Sequence, residues 1–590
     1  MFTEQISNFN KAPFVSVKGY EQEACEGWEN IAARLSQACH AIEKQKKIIV
    51  VECYQGVDHE ELLEGMEKAL DPDQIILSRE CFLPEEKIRS ISHPDVTDHR
   101  IFGYMTRMKM NDLMDHAKLD AIVGHLYSIE KGTILVFGHG ASLFCDKPDL
   151  FIYADMARWE IQLRMRRNEV DNLGIFNRHD PLETLYKRGY FFDWRICDRL
   201  KKKSMPSWNF VLDTNTRKHP RMISRQAFQA GLEQTARQPF SVLPYFDAGP
   251  WGGHWMKEVC DLDPAMVNSA WCFNCIPEEN SLYLKFGKVR FETPSVNVVF
   301  FQPRALLGEA VHARFGDEFP IRFDFLDTMG GGNLSLQVHP LTEYIQEKFG
   351  IHYTQDESYY LMDAGEDASV YLGLKKDVEP DAMIRDLKRS EKEAVHFDDT
   401  KYINNWPARK HDHFLIPAGT VHCSGRNSMV LEISATPYIF TFKLWDWGRN
   451  GLDGKPRPIN IDHGSNVIQW ERDTDWVKEQ LINKIETVAE GDHWKEERTG
   501  LHEREFIETR RHWFTGKTEH DTGGGVNVMT LVEGREIIVE SPGNVFDPFV
   551  VHYAETFIVP AAVGRYTISP HGESLGKECA TIKAYVRTNP

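Results

Sequence analysis

The chain has 590 residues, of which 42% are hydrophobic, and its formal net charge is -19 at pH 7. This acidic balance argues against nucleic acid as a partner, because phosphate binding needs a basic surface. No apolar run reaches the roughly 18 residues of a membrane span, and residues 1–14 lack a charged-then-apolar leader. The 11 cysteines follow no extracellular spacing pattern. We therefore expect a cytoplasmic protein with no membrane partner.

The first part of the chain alternates helical patterns with apolar strand patterns. The predicted elements are a helix at 23–44, a strand at 47–51, a helix at 60–70, and strands at 132–137 and 152–154. Apolar strands separated by helices are typical of a parallel sheet covered on both faces. The pattern predicts an α/β domain over residues 1–205.

This α/β region resembles the P-loop nucleoside and nucleotide kinases. Residues 48–51 form the strand that precedes the phosphate loop in that group, and residues 157–167 (ARWEIQLRMRR) are similar to its arginine-bearing lid helix. At the turn itself, Glu52 replaces the first glycine and Asp58 replaces the phosphate-binding lysine. Carboxylates there repel a triphosphate. We predict a degenerate kinase-like domain with no bound cofactor that serves docking, assembly or regulation, and self-association is one of the roles left open.

Strand patterns predominate in the second half of the chain. The basic stretch 206–237 shows little strand pattern, and we interpret it as a connector. We expect domains at 238–460 and 461–590, with helical insertions near 380–393 and 475–497.

Four polar side chains in this half predict a metal site. In the strand that leads to His339, the period of two places Gln337 on the same face as that histidine. Glu357 stands at the mouth of the following strand, and a Pro-Ala-Gly turn delivers His422. Two imidazoles, one carboxylate and one amide oxygen form a ligand set suited to zinc, with room for water or substrate.

The Q-x-H, E and P-x-G-x-x-H arrangement resembles the metal site of cupins, and longer segments around it are similar to type I mannose-6-phosphate isomerases of the short bacterial kind. These segments are 250–253 (PWGG), 319–340 (FPIRFDFLDTMGGGNLSLQVHP), 356–373 (DESYYLMDAGEDASVYLG), 414–432 (FLIPAGTVHCSGRNSMVLE) and 443–449 (KLWDWGR). The resemblance implies a mainly β double-barrel cupin domain after the α/β domain. It further implies an isomerase that interconverts mannose 6-phosphate and fructose 6-phosphate, or a related sugar phosphate, with one zinc ion per chain.

The same resemblance suggests catalytic residues. It places a cation at Lys443, which would stabilise the enediolate or support proton transfer, and Arg449 follows in the same motif. Glu432, ten residues after His422, is a candidate acid/base group, although a structural carboxylate is the alternative.

Three positions depart from the isomerase pattern and leave the exact sugar open. The family has a lysine at the position of Gln355, another at the position of Asp324, and an arginine at the position of Lys443. Lysine and arginine are not interchangeable where bidentate oxygen recognition is needed. The positive groups available to restore the lost charge are Arg322, Lys375 and Arg449.

The last part of the chain repeats part of the metal motif. Residues 557–561 (FIVPA) match residues 414–418 (FLIPA), but Arg565 lies five residues past the second proline, where the first copy has His422. We therefore expect two related barrels, the second without metal. Two other functions remain open: a non-catalytic sensor of a phosphosugar, and another cupin enzyme such as an epimerase or a metal-dependent oxygenase.

Overall fold

The computed structural model describes residues 7–588 except 394, 438, 501 and 503. The chain forms two compact units. The first, which we call the α/β unit, combines Phe14–Gln234 with Ser281–Phe301. The second, which we call the barrel unit, comprises Thr235–Asn280 and Gln302–Pro590 together with Met1–Pro13, within the described residues.

The first strands in chain order are β1 Phe14–Ser16, β2 Cys25–Glu26, β3 Lys46–Cys53, β4 Gln74–Leu77, β5 Gly132–Gly138, β6 Leu150–Asp155, β7 Phe210–Asp213, β8 Arg221–Ser224, β9 Tyr245–Asp247, β10 Trp271–Cys275, β11 Ser281–Phe286, β12 Val289–Pro294, β13 Ile321–Asp327, β14 Leu336–Val338, β15 Glu357–Ala364 and β16 Ser369–Leu374. They are followed by β17 Ile403–Pro407, β18 His413–Ile416, β19 His422–Ser424, β20 Ser428–Ala435, β21 Phe442–Trp445, β22 Glu486–Gly491, β23 Trp494–Gly500, β24 Ile507–Phe514, β25 Thr518–Asp521, β26 Asn527–Glu533, β27 Glu536–Glu540, β28 Phe549–His552, β29 Thr556–Val559, β30 Arg565–Pro570 and β31 Cys579–Val586.

The helices are α1 Trp28–His40, α2 His59–Leu70, α3 Glu85–Val96, α4 His116–Ser128, α5 Arg158–Arg166, α6 Leu182–Arg188, α7 Trp194–Ser204, α8 Arg225–Thr235, α9 Trp255–Val259, α10 Val296–Phe301, α11 Pro303–Leu307, α12 Glu309–Phe315, α13 Thr342–Phe349, α14 Pro380–Glu393, α15 Asp399–Tyr402, α16 Ile461–Ser465 and α17 Thr474–Gln480.

A seven-stranded sheet forms the centre of the α/β unit. Its strand order is β2-β8-β7-β6-β3-β5-β4, and the five strands from β7 to β4 run parallel. The inner strands β3, β5 and β6 are almost entirely buried, as expected for a sheet covered on both faces. The predicted α/β sheet is confirmed, whereas the P-loop character of the unit stays a prediction.

The two carboxylates at the expected phosphate loop are bound by the protein itself. Asp58 caps α2, and its side chain accepts hydrogen bonds from the backbone N–H groups of Glu60 and Glu61. The buried carboxylate of Glu52 accepts from the N–H groups of Gly140 and Ser142, at 2.6 and 2.8 Å. Both side chains therefore have structural partners at the turn.

Residues 206–234 of the predicted connector 206–237 are instead part of the α/β unit. The connector contains β7, β8 and α8, and β7 pairs with the central strand β6. The helical insertion predicted at 380–393 coincides with α14. The one predicted at 475–497 contains only the short α17 before the chain continues as β22 and β23.

The barrel unit contains two pairs of facing antiparallel sheets, and we call each pair a barrel. The first barrel has the strand orders β18-β15-β20-β13-β10-β9 and β17-β16-β19-β14-β21. The second has β22-β23-β24-β31-β26-β29 and β25-β30-β27-β28. The core of the second barrel lies between its sheets and includes Phe514, Met529, Val539, Phe557 and Ile568.

The internal repeat predicted from the sequence connects equivalent strands. The order β18-β15-β20-β13 matches β29-β26-β31-β24, and β17-β16-β19-β14 matches β28-β27-β30-β25. In the repeated segments, Ile416 pairs with Glu357 and Val559 pairs with Asn527. The two barrels thus share one topology, each with its own side chains inside.

Candidate metal centre

Three side chains from both sheets of the first barrel converge at one point. His339 directly follows β14, Glu357 begins β15, and His422 begins β19. Each of the three is at most 1% exposed, and their ligand atoms all lie within 4.8 Å of one another. The structure therefore brings together the two histidines and the carboxylate that the sequence predicted as ligands.

Backbone carbonyls fix both imidazole rings. His339 Nδ1 lies 3.1 Å from the carbonyl oxygen of Phe440, and His422 Nδ1 lies 2.8 Å from that of Thr420. Because a carbonyl oxygen can only accept, each Nδ1 must carry the proton and donate it. Each Nε2 then presents a lone pair to the centre, which is the tautomer that binds metals.

The carboxylate of Glu357 lies between these two lone pairs. Its Oε2 is 3.0 Å from His339 Nε2, and its Oε1 is 2.8 Å from His422 Nε2. Burial alone would raise the pKa of Glu357, whereas positive charge on the two neighbouring imidazoles would hold it well below its ordinary value; a cation bound by the neutral rings would supply that positive charge instead. The described residues provide no hydrogen bond of good geometry to His339 Nε2 or Glu357 Oε1. Orphaned buried atoms of this kind fit a divalent cation at the centre.

Gln337 is the fourth predicted ligand and lies beside this cluster. It pairs with His422 across β14 and β19, and its Nε2 is 3.2 Å from His422 Nε2. The oxygen and nitrogen of an amide are assigned from such contacts, so a flip of the amide would direct Oε1 towards a metal. The donor set of two nitrogens and two oxygens is then the one expected for zinc.

The loop that carries His422 is held from both sides. Gly419 adopts a φ of 88°, and its N–H donates to the carbonyl of His339 at 3.0 Å. A Cβ at Gly419 would lie 2.9 Å from the carbonyl oxygen of Val467, so only glycine fits this turn. On the other side, the Arg472 guanidinium, 1% exposed, donates to the carbonyls of Pro417 and Ala418 at 2.7 and 2.8 Å.

Arg472 also donates to Thr420 Oγ1, on the residue whose carbonyl orients His422. Burial lowers the pKa of Arg472 to about 10. Its role was not apparent from the sequence, because no motif connects it with the distant turn that it holds.

Lys443 lies on the same sheet face as the ligands. It pairs with Gln337 across β14 and β21, and Gln337 pairs with His422 on the other side. Residues directly opposite each other in neighbouring strands project to the same face of a sheet. The register therefore places this predicted catalytic lysine in one row with two of the predicted ligands.

Glu432 belongs to a buried charged cluster on the inner face of the other sheet. It pairs with Tyr359 on β15 and with Asp324 on β13. Arg322 connects the two carboxylates, with Nη1 2.9 Å from Glu432 Oε1 and Nη2 3.1 Å from Asp324 Oδ2. Burial raises the pKa of Glu432 well above its ordinary value, and the charges of Asp324 and Glu357 raise it further.

The three positions that depart from the isomerase pattern also surround the centre. Burial raises the pKa of Asp324 to about 7 even though Arg322 opposes the shift. Gln355 donates from Nε2 to Glu357 Oε2 at 3.0 Å, so it supports the ligand carboxylate. Arg322, one of the groups expected to restore a positive charge, is bound to carboxylates, and Lys375 is exposed just after β16.

Arg449 forms an ion pair with a neighbouring carboxylate. Its guanidinium lies 2.8 Å from the carboxylate of Asp446. The same carboxylate accepts a hydrogen bond from the Ser335 hydroxyl at 3.0 Å. Arg449 is therefore engaged with Asp446, and its catalytic contribution stays a prediction.

Tyr359 is an inner residue that the sequence reasoning missed. It is fully buried, lies two residues after Glu357 on the same face, and packs edge-on against His422 with ring centroids 5.9 Å apart. The described residues offer its hydroxyl no hydrogen-bond partner. The strand period of two, counted from Glu357, was the signal that could have found it.

Comparison with known proteins gives different results for the two parts of the chain. A family model described as a domain of unknown function (DUF8485) matches residues 27–237. Mannose-6-phosphate isomerase ManA of Bacillus subtilis is 24% identical over 238 residues, which cover 39% of this chain and 68% of that protein. A mannose-6-phosphate isomerase of Streptococcus mutans is 24% identical over 37% of this chain and 64% of its own length. The chain is thus homologous to enzymes that isomerise a sugar phosphate.

Solved structures of the same kind also align with the chain. The Bacillus subtilis mannose 6-phosphate isomerase aligns over 59% of this chain and all of its own, with 17% identity and a TM-score of 0.49. A zinc-bound mannose 6-phosphate isomerase aligns over the same share with 13% identity and a TM-score of 0.45. Among the described residues, none of the helices is both long and apolar enough to cross a membrane.

Proposed function

We propose that the barrel unit is a metal-dependent aldose–ketose isomerase that interconverts mannose 6-phosphate and fructose 6-phosphate or a closely related sugar phosphate. The observation that carries the proposal is the buried cluster of His339, Glu357 and His422, with both Nε2 lone pairs directed at one carboxylate. The names of the homologous enzymes support this choice of reaction.

In this proposal one zinc ion per chain is held by His339, Glu357 and His422, with Gln337 as fourth ligand. A bound zinc ion would polarise the oxygens at C1 and C2 of the open-chain sugar as a Lewis acid. Gln355 keeps the ligand carboxylate in place through its hydrogen bond to Glu357 Oε2.

Proton transfer is assigned to Glu432. The reaction removes the proton from C2 of the aldose and returns a proton to C1, while the C2 hydroxyl proton is lost and the C1 oxygen gains one. A carboxylate with a raised pKa is a stronger base than an ordinary one and a better match to a weakly acidic carbon. Asp324, which lies opposite Glu432 and shares Arg322 with it, would exchange protons with it as a coupled pair.

Lys443 is assigned to the negative charge that develops on the sugar oxygens. Its position opposite Gln337 places it on the inner face with the ligands. A cation aimed at charge that appears only in the transition state accelerates the chemical step.

The substrate is a small sugar phosphate, and the cluster around Arg322 weakens the grip on its phosphate. Arg322 already binds Asp324 and Glu432, and Gln355 is uncharged. Loss of one charge-assisted hydrogen bond costs about 1.5–3 kcal/mol, or roughly ten- to a hundredfold in affinity. We therefore expect a KM for mannose 6-phosphate above that of the homologous enzymes.

A cytoplasmic location belongs to the same proposal. All 11 cysteines are free thiols, and ten of them are buried, which suits a reducing compartment.

A coupled assay of fructose 6-phosphate formation from mannose 6-phosphate tests the function directly. We expect turnover that a chelator abolishes and that added zinc restores. A metal-loaded protein that isomerises no aldose phosphate would contradict the proposal. The alternative would then be a non-catalytic sensor that binds a phosphosugar without converting it.

A further inference from the structure

The second barrel contains a group of polar side chains at the place where the first barrel has its metal centre. The pair His520–Tyr566 on β25 and β30 is equivalent to the pair Gln337–His422 on β14 and β19. Asn527, at the start of β26, takes the position of Glu357. The second barrel therefore presents a different set of polar groups at the same end.

Lys583 occupies the position of the candidate acid/base residue Glu432. Glu432 lies opposite Tyr359, two residues into β15 from Glu357, and Lys583 lies opposite Met529, two residues into β26 from Asn527. Lys583 is only 9% exposed, and burial lowers its pKa. Its Nζ is 4.0 Å from the carboxylate of Glu496, which is too far for a hydrogen bond.

Two buried histidines, His512 and His520, belong to the same group of polar side chains as Lys583. His512 is 5% exposed, and its Nδ1 has no hydrogen-bond partner among the described residues. Its ring lies 4.7 Å from that of His520, which stacks on Tyr566 at 5.2 Å. Burial lowers the pKa of both histidines, so each ring is neutral and offers one donor and one acceptor.

Three nitrogen groups face one carboxylate, that of Glu496. His512 Nε2 is 3.3 Å away, Arg510 Nη1 is 3.6 Å away, and Lys583 Nζ follows at 4.0 Å. Burial would raise the pKa of Glu496, but these neighbours lower it to about 2. Arg510 also binds the carboxylate of Glu508 through Nε and Nη2, so only its Nη1 is directed at Glu496. None of the three contacts to Glu496 is a short hydrogen bond, so Glu496 balances the positive charge of Lys583 and Arg510 without binding either closely.

We propose that this end of the second barrel is a second, non-catalytic binding site for the phosphate group of a small sugar phosphate. The phosphate displaces the Glu496 carboxylate and receives hydrogen bonds from Lys583, Arg510 and His512, because a dianion with three peripheral oxygens can satisfy all three donors together. The sugar hydroxyls then meet His520 and Asn527. The site is independent of the isomerase activity, since it shares no residue with the first barrel.

The test measures binding to the full-length chain that carries His422→Ala, which removes the proposed metal ligand of the first barrel. Isothermal titration with fructose 6-phosphate, and separately with inorganic phosphate, should give one equivalent of binding for the sugar phosphate and weaker binding for phosphate alone. Lack of binding at millimolar fructose 6-phosphate, or equal affinity for the two probes, would overturn the assignment to a sugar phosphate.

Two substitutions of opposite effect locate the site. On the same background, Lys583→Met should weaken binding at least about tenfold, whereas Lys577→Met, an exposed lysine before the same strand, should not change it. Glu496→Gln should tighten binding by roughly tenfold, because it removes the competing carboxylate. A gain of affinity cannot arise from misfolding. Glu496→Gln therefore tests the location of the binding site even if Lys583→Met does not fold. Unchanged affinity in Glu496→Gln would overturn the proposal.

Discussion

The two barrels of this chain have the same strand order but opposite electrostatic character at the same inner positions. Where the first barrel has Glu357 and Glu432, the second has Asn527 and Lys583. The first therefore concentrates carboxylates and imidazoles suited to a cation, and the second concentrates donors suited to an anion. One backbone framework thus supports two kinds of site, because the chemistry resides in a few inward-facing side chains.

The largest expected effect comes from breaking the cation site of the first barrel. His422→Ala removes a nitrogen ligand, so we expect the bound zinc to be lost and isomerase activity to fall at least about 100-fold. Metal analysis by mass spectrometry and the coupled assay measure both quantities. His352→Ala, which changes an exposed histidine of the same barrel, should retain both. One tightly bound equivalent of metal in the His422→Ala protein would contradict the ligand assignment.

A smaller loss is expected when the loop that carries His422 is released. Arg472→Met removes the donors to Pro417, Ala418 and Thr420, so the His422 ring loses its orientation and zinc affinity should fall about 10- to 100-fold. Competition with a chromophoric chelator measures that affinity, and the visible spectrum of the cobalt-substituted protein reports the coordination. Arg472→Lys should recover part of the affinity. An unchanged cobalt spectrum in Arg472→Met would show that the hydrogen bonds from Arg472 to the 417–420 turn have no influence on the metal centre.

A further test concerns Lys443 of the first barrel. In the proposal, Lys443 stabilises negative charge that is present only in the transition state. Lys443→Met should lower kcat at least about tenfold and leave KM and zinc content nearly unchanged. Lys443→Arg keeps the charge and should remain active. Turnover of Lys443→Met at the wild-type rate would remove this residue from the mechanism.

The smallest effect is expected for the α/β unit, where we predict that ATP does not bind. The carboxylates of Glu52 and Asp58 occupy the turn where a phosphate loop would bind, and backbone N–H groups already satisfy both. Calorimetry with the full-length protein, ATP and magnesium should therefore detect no binding. Micromolar, magnesium-dependent binding would show that the α/β unit keeps a working nucleotide site.

The convergence of His339, Glu357 and His422 could be predicted because the candidate ligands follow local rules. The strand period placed Gln337 and His339 on one face, and the Pro-Ala-Gly turn marked His422. Strand alternation could not be used in the same way for residues that follow the end of a strand. Alternation could not place Arg449, because β21 ends at Trp445 and Arg449 follows after a turn.

Three further features of the fold could not be predicted from the sequence alone. The second barrel places the buried Tyr566, and not the exposed Arg565, opposite His520. The connector was missed as a pair of strands because β7 and β8 have four residues each, and the basic residues around them mask the short apolar core. The charged cluster of Arg322, Asp324 and Glu432 could not be predicted, because it depends on the pairing of β13 with β20 and no sequence pattern reveals which strands pair.

The α/β unit is built from two separate stretches of sequence, and this has a consequence for the order of events during synthesis. The second stretch supplies the amide of Asn297, which donates to the buried carboxylate of Asp155 at 2.9 Å, and the N–H of Glu292, which donates to Asp213 at 3.0 Å. A nascent chain that has emerged only to residue 237 therefore carries the whole seven-stranded sheet but leaves these two buried acids short of donors. These two contacts can therefore form only after Thr235–Asn280, which belongs to the barrel unit, has also been synthesised.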